Sequence, residues 1–142
     1  MKARLTILFA LFVLTSYGQR NDSMPKQLYI DTVIVTIGHK IYIENESVNT
    51  EHLNLKPVDA ISDSSKTIII EFKDSRTMGS VLTIKNPFDK NLVYKAAIYT
   101  PKQQTYTITD VSPVRKKLIA IELWESGIPK VRLTDFQLAD TK

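Results

Sequence analysis

Regular alternation of apolar and polar residues across residues 79–102 sets the strongest limit on how this chain can fold. Apolar residues recur at every second position, as in strands with one buried face: Leu82 and Ile84 in a first arm, then Leu92, Tyr94, Ala96 and Ile98 in a second. Lys95, on the opposite side of the second arm, should face solvent. Between the arms, Asn86 and Pro87 suit a type I turn, because proline presets φ and the asparagine side chain can bond back to the backbone. The stretch therefore predicts a β-hairpin.

Further short β-rich segments, separated by turn-forming residues, occupy much of the remaining chain: residues 28–37, 40–44, 52–56, 67–73, 105–109, 117–124 and 131–138. Gly38 suits a hairpin turn between the first two, and Pro57 should end the third. Thr134-Asp135 shifts the alternation of the last segment and predicts a bulge. There is no long helical period and no connection that fits a parallel crossover. We therefore predict an all-β fold, an antiparallel immunoglobulin-like β-sandwich of about seven to nine strands.

Residues 80–106 resemble the immunoglobulin-like, PapD-like domains of the major sperm protein and VAP family. That family carries the pattern strand-N-P-x-D-[RK]-x-hydrophobic-x-F-K-x-K-T-T-x-P, and the matching residues here are Asn86, Pro87, Asp89, Lys90, Leu92, Tyr94, Lys95 and Pro101. Ala97, Ile98 and Tyr99 replace the family's second lysine and its two threonines. The resemblance implies the sandwich fold. Since only Lys95 of the family's basic face carries over, its acidic peptide ligand is not transferred.

Residues 1–18 have the pattern of a signal peptide. Lys2 and Arg4 precede an apolar run over residues 5–14, and small residues stand before Gln19, the expected mature N-terminus. The run is too short to cross the roughly 30 Å hydrocarbon core of a bilayer as a helix. We expect export to the periplasm, the cell envelope or the exterior, with no membrane span after cleavage. An uncleaved membrane anchor is the alternative.

The mature chain is expected to have a flexible lead-in, residues 19–27, and a single domain, residues 28–142. There is no cysteine, so neither a disulfide nor a lipidated cysteine is possible, and an exported domain must be held by its core alone. Removing Lys2 and Arg4 lowers the net charge from +4 to +2. This mild, interspersed charge gives no argument for nucleic acid.

The chemistry of the chain predicts no enzyme. Its two histidines are His39, in an expected turn, and His52, at the edge of a loop. Catalysis or metal binding would need them to converge with Glu44, Glu46 or Glu51, whereas we expect a solvated acidic loop. There is no cysteine nucleophile, no G-x-S-x-G and no glycine-rich phosphate loop. We therefore predict no catalytic, cofactor or metal residues.

Four residues form the predicted binding surface: Phe88, Lys95, Tyr99 and Trp124. Each has a structural alternative, since Trp124 can cap the core, Phe88 can fold back onto it, and Tyr99 can join a cross-strand aromatic pair. The main hypothesis is a non-enzymatic module that works by protein–protein contact. The second is a carbohydrate- or surface-binding module that uses one of the aromatic residues as a platform. The third is a small hydrolase that uses His52 with loop carboxylates.

Overall fold

The computed structural model describes residues 29–47 and 53–140, and this part of the chain contains nine strands and no helix. The strands are Thr32–Thr36 (β1), His39–Asn45 (β2), Leu55–Val58 (β3), Thr67–Ser75 (β4), Gly79–Lys85 (β5), Asn91–Thr100 (β6), Thr105–Thr109 (β7), Ile119–Trp124 (β8) and Lys130–Ala139 (β9). No helix in these residues is long and apolar enough to cross a membrane. The predicted signal peptide, the lead-in and His52 lie outside the described residues.

The nine strands form two antiparallel sheets, which confirms the predicted all-β sandwich. One sheet has the order β1-β9-β6-β7 and the other has the order β3-β2-β4-β5-β8. Alternate side chains of both sheets meet in one apolar core, whose largest fully buried members include Phe72, Ile43, Ile68, Ile70, Leu82, Ile84, Leu92 and Leu133. The predicted faces of residues 79–102 are confirmed, because the inward residues are buried or half-buried and Lys95 is exposed.

The predicted hairpin of residues 79–102 is wrong, because its two arms belong to different sheets. Strand β5 pairs with β4 and β8, whereas β6 pairs with β7 and β9. The connection is a corner that crosses between the sheets. Alternation shows which face of a strand is buried, but in a sandwich both sheets bury a face against the same core. The buried faces of two successive strands can therefore be predicted correctly even though the two strands are not hydrogen-bonded to each other.

Asn86 is the residue that holds this corner. Its side chain is fully buried, and Nδ2 donates to the carbonyl oxygens of Lys90 (2.8 Å), Val114 (3.0 Å) and Arg115 (3.2 Å). Its Oδ1 accepts a hydrogen bond from the backbone N–H of Phe88 at 2.9 Å, as the sequence predicted for an asparagine that opens a turn. The amide thus fixes the corner and also the segment that leads into β8.

The predicted hairpin at Gly38 is wrong for the same reason. Strand β1 pairs with β9, while β2 pairs with β3 and β4. Gly38 does adopt a positive φ of 83°, but its turn connects the two sheets: Ile37 N donates to Pro129 O and Gly38 N donates to Phe72 O.

Two local predictions had different outcomes. Pro57 does not end its strand, because β3 continues to Val58 and proline is tolerated on an edge strand. The bulge at Thr134-Asp135 is confirmed. Val93 pairs with Gln137 but Lys95 pairs with Thr134, so β9 carries one extra residue there, and Asp135 has a φ of 56°.

Candidate functional site

The four predicted surface residues do not come together. Phe88 lies at the corner between β5 and β6, Lys95 and Tyr99 lie on the outward face of β6, and Trp124 ends β8. A flat sugar-binding platform would need coplanar exposed rings, and these three aromatic rings are on different parts of the molecule. Each is therefore described by its own contacts.

Trp124 caps one end of the core. Its ring meets Phe72 edge-on, with centroids 6.2 Å apart and planes at 77°. Its Nε1 donates to Thr109 Oγ1 at 3.1 Å, which ties β8 to β7 across the two sheets. The exposed side of the ring borders a cleft of about 600 Å³, whose other walls include Ile98, Lys102 and Ile128. Phe88 is likewise half-buried against the core.

Tyr99 belongs to a cross-strand aromatic pair on the four-stranded sheet. Its register partner is Tyr106, with ring centroids 5.3 Å apart. Lys130 Nζ lies 4.2 Å from the Tyr99 centroid, and the Arg132 guanidinium lies 4.5 Å from that of Tyr106. These cation–π contacts place charge over the rings. The cations therefore stabilise the pair and leave Tyr99 without a flat, open apolar face.

Lys95 lies further along the same outward face of β6. Its Nζ is 2.8 Å from Asp135 Oδ2, in the β9 bulge. The hydrogen bond to this carboxylate raises the pKa of Lys95. The lysine is thus held by the bulge beside it, and both groups remain largely in solvent.

The longest row of exposed aliphatic side chains in the described part of the chain lies instead on β8, an end strand of the five-stranded sheet. Three of its side chains point outward and are unusually exposed for their type: Ile119 (58%), Ile121 (62%) and Leu123 (53%). Exposed apolar side chains that occur singly need no explanation, whereas a contiguous row of them marks interaction surfaces. The row follows one face of the strand at every second residue.

The backbone N–H and C=O groups of the same three residues also have no partner strand in the described part of the chain. In an antiparallel pair, residues alternate between those that exchange both backbone bonds with the partner and those that exchange none. Asn86 N donates to Leu118 O at 2.9 Å, next to the last paired residues of β5 and β8. This bond shows which residues of β8 bond to β5. Even-numbered residues of β8 therefore bond to β5. The odd-numbered ones direct their N–H and C=O groups to the free edge: Ile119, Ile121 and Leu123.

The other side of β8 is firmly held. Glu122 points into the sandwich, where its Oε1 accepts a hydrogen bond from the Ser112 backbone at 2.9 Å. Burial raises the pKa of Tyr94, and the nearby charge of Glu122 adds to the rise, so the phenol stays neutral. Together with Trp124, Glu122 fastens the inward face. The inward face of β8 is thus held in place, whereas its outward face and its free edge are open.

The alternation of Ile119, Ile121 and Leu123 in the sequence places them on one side of β8, but it does not identify that side as the open one. Isoleucine and leucine at alternate positions usually indicate a buried face. The sequence does hold one sign that this side could be the open one. On the opposite face, Ala120 and Trp124 flank Glu122 and supply enough apolar surface to face the core. Both faces of β8 are therefore apolar, and only one can be inward.

The described residues hold no cluster of three or more metal-ligating side chains. His39 is exposed, with its Nδ1 3.2 Å from the Ile37 carbonyl oxygen. The other predicted histidine, His52, lies outside the described ranges. The chain matches no protein-family model, no curated protein and no solved structure, so the open edge of β8 is interpreted from its own geometry.

Proposed function

We propose that this protein is an exported, non-enzymatic binding module, immunoglobulin-like in its sandwich, that takes up a strand of a protein partner along β8. The observation that carries the proposal is the open edge of β8, whose backbone groups and apolar side chains face outward at the same three residues. The partner would lie in the periplasm, the cell envelope or the exterior. Export is inferred from the signal-peptide pattern of residues 1–18.

Strand addition fits this edge energetically. A partner strand would satisfy the unpaired N–H and C=O groups, which supplies affinity, while alternate side chains supply specificity. Because the inward face is fixed by Trp124 and Glu122, the edge is preorganised, which reduces the entropy lost on binding. The resemblance of residues 80–106 to major sperm protein and VAP domains supports an immunoglobulin-like interaction module, but it does not identify the ligand.

Site-specific photo-crosslinking tests the proposal. The photoreactive residue p-benzoylphenylalanine is placed at position 121, or at position 57 on β3 as the matched control, and the full chain is expressed and exported in its host. We expect a covalent protein adduct from position 121 and none from position 57. Equal adducts from both positions, or no adduct from position 121, would refute the proposal.

A further inference from the structure

We infer that the partner strand at β8 is β8 of a second copy of this chain, with the two-fold axis passing through Ile121. The inference rests on the proposed function of this edge and specifies its occupant. It follows from a property of the strand that a generic edge does not have, which is that β8 is complementary to itself in both its hydrogen bonds and its side chains.

The hydrogen bonds select the register. The free groups of β8 belong to its odd-numbered residues, as the phase set by the Asn86–Leu118 bond requires. An antiparallel pair of β8 strands centred on Ile121 places Ile121 opposite its own copy and Ile119 opposite Leu123. All of these are residues whose backbone groups face the edge. Every outward N–H and C=O group of the strand then meets a partner.

The side chains favour the same register. On the outward face, the three cross-strand pairs are all aliphatic, and such pairs stabilise a sheet. On the inward face, Glu122 lies opposite Ala120, so like charges do not meet.

Shifted registers lose this match. Moving the axis to Ile119 would place Lys117 opposite Ile121, and moving it to Leu123 would place Glu125 opposite Ile121. Of these three registers, only the one centred on Ile121 pairs apolar with apolar residues along the whole outward face of β8.

The size of the contact sets the expected strength. One strand edge with three half-exposed aliphatic side chains is smaller than the roughly 800 Å² per partner of a standard protein interface. We therefore expect a reversible dimer with a dissociation constant in the micromolar range. At low concentration the protein should be a monomer.

Analytical ultracentrifugation of the purified exported protein tests the dimer. We expect the wild type to shift from monomer to dimer as its concentration rises from micromolar towards millimolar. Ile121→Lys places two ammonium groups together at the axis and should weaken the dimer by more than about tenfold. The matched control is Ile34→Lys, because Ile34 is an isoleucine of comparable exposure on the end strand β1 of the other sheet. This variant should leave dimerisation unchanged. Circular dichroism checks that both variants fold.

A single introduced thiol tests the axis. The natural chain has no cysteine, and a directly opposed hydrogen-bonded pair has Cα atoms about 5.5 Å apart, within disulfide range. With oxidised glutathione accepting the two electrons and two protons of the thiol pair, Ile121→Cys should give a covalent dimer and Ile34→Cys should not.

Three results would overturn the inference: a wild type that stays monomeric over the whole range, a dimer that Ile34→Lys disrupts as much as Ile121→Lys does, or equal crosslinking of the two cysteine variants. If the wild type is monomeric but position 121 crosslinks to a different protein, the second-copy inference fails and the proposed function stands. If position 121 captures nothing as well, both fail.

Discussion

The two end strands of the five-stranded sheet, β3 and β8, are built differently. Strand β3 has four residues, contains Pro57, and carries Lys56 in an ion pair with Glu46 at 3.0 Å. Strand β8 has six residues, with neither proline nor lysine. Soluble proteins protect edges with short strands, proline and lysine, because an open edge can pair with another chain. This protein protects one edge of its sheet and leaves the other open.

The position of Pro57 within β3 reinforces the contrast. Glu46 N donates to Asn54 O at 2.9 Å, next to the paired residues of β2 and β3. By the same alternation as in β8, residue 57 belongs to the set whose N–H would point to the free edge. Proline there costs the sheet no hydrogen bond and removes a donor from the edge. Within the five-stranded sheet, the open edge is therefore a property of β8 and not of β3.

The largest expected effect is the difference in stability between a substitution in the core and one at the open edge of β8. Ile84 on β5 is fully buried, whereas Ile121 on the adjoining β8 is mostly exposed. Ile84→Ala should lower the free energy of unfolding by about 2–5 kcal/mol through lost burial and a cavity. Ile121→Ala should change it by less than about 0.5 kcal/mol. Urea denaturation of dilute protein measures both. If Ile121→Ala costs as much as Ile84→Ala, the outward residues of β8 are structural and the contrast between the edges fails.

A smaller effect should appear at acid pH beside β3. Lys66 and Ser62 both hydrogen-bond the Glu44 carboxylate at 2.6 Å and lower the pKa of Glu44. A carboxyl group with a lowered folded-state pKa stabilises the fold above its unfolded value of about 4.3, and this contribution is lost as the pH falls through the folded-state pKa.

Hydrogen exchange corrected for intrinsic rates should therefore show amides of β2 and β3 losing protection below that pH before amides of β5 and β8. Glu44→Gln should remove the pH dependence of the difference. Simultaneous loss at both ends of the sheet would show that the ion pair does not hold the β3 side.

The smallest expected effect tests the assigned hydrogen-bond phase. Pro57→Val restores an N–H at the free edge without touching the β2–β3 bonds, so stability should change by no more than about 1 kcal/mol. Lys56→Pro, one residue earlier, removes a donor from the ladder and should cost more. Thermal denaturation of the two variants compares them. The reverse order would mean that the phase at β3 is inverted.

Much of the fold follows from sequence, because alternation reports burial directly. It identified the inward faces of β5 and β6, and the phase shift at Thr134 located the bulge. The partner of each strand could not be predicted this way. Val114 and Arg115, which fix the corner at Asn86, lie 28 and 29 residues away along the chain, and no local pattern reports such a contact.

The candidate site was missed for a related reason. An end strand with two apolar faces looks the same in sequence as a central one, and only the sheet order shows that β8 has a neighbour on one side. By contrast, the sequence could suggest the pairing of Tyr99 with Tyr106, because the two strands are joined by a short turn that sets their register.

The buried amide of Asn86 also has a consequence for the order in which the chain folds. Two of its acceptors, the carbonyls of Val114 and Arg115, come into reach only after β6 and β7 have been traversed. Closing this loop costs conformational entropy before the distant contacts form, and folds dominated by distant pairings need milliseconds to seconds. Until then β5 lacks β8, and its own edge is bare. We therefore expect the corner at Asn86 to form late, and the unpaired edge of β5 to be exposed to aggregation during refolding until it does.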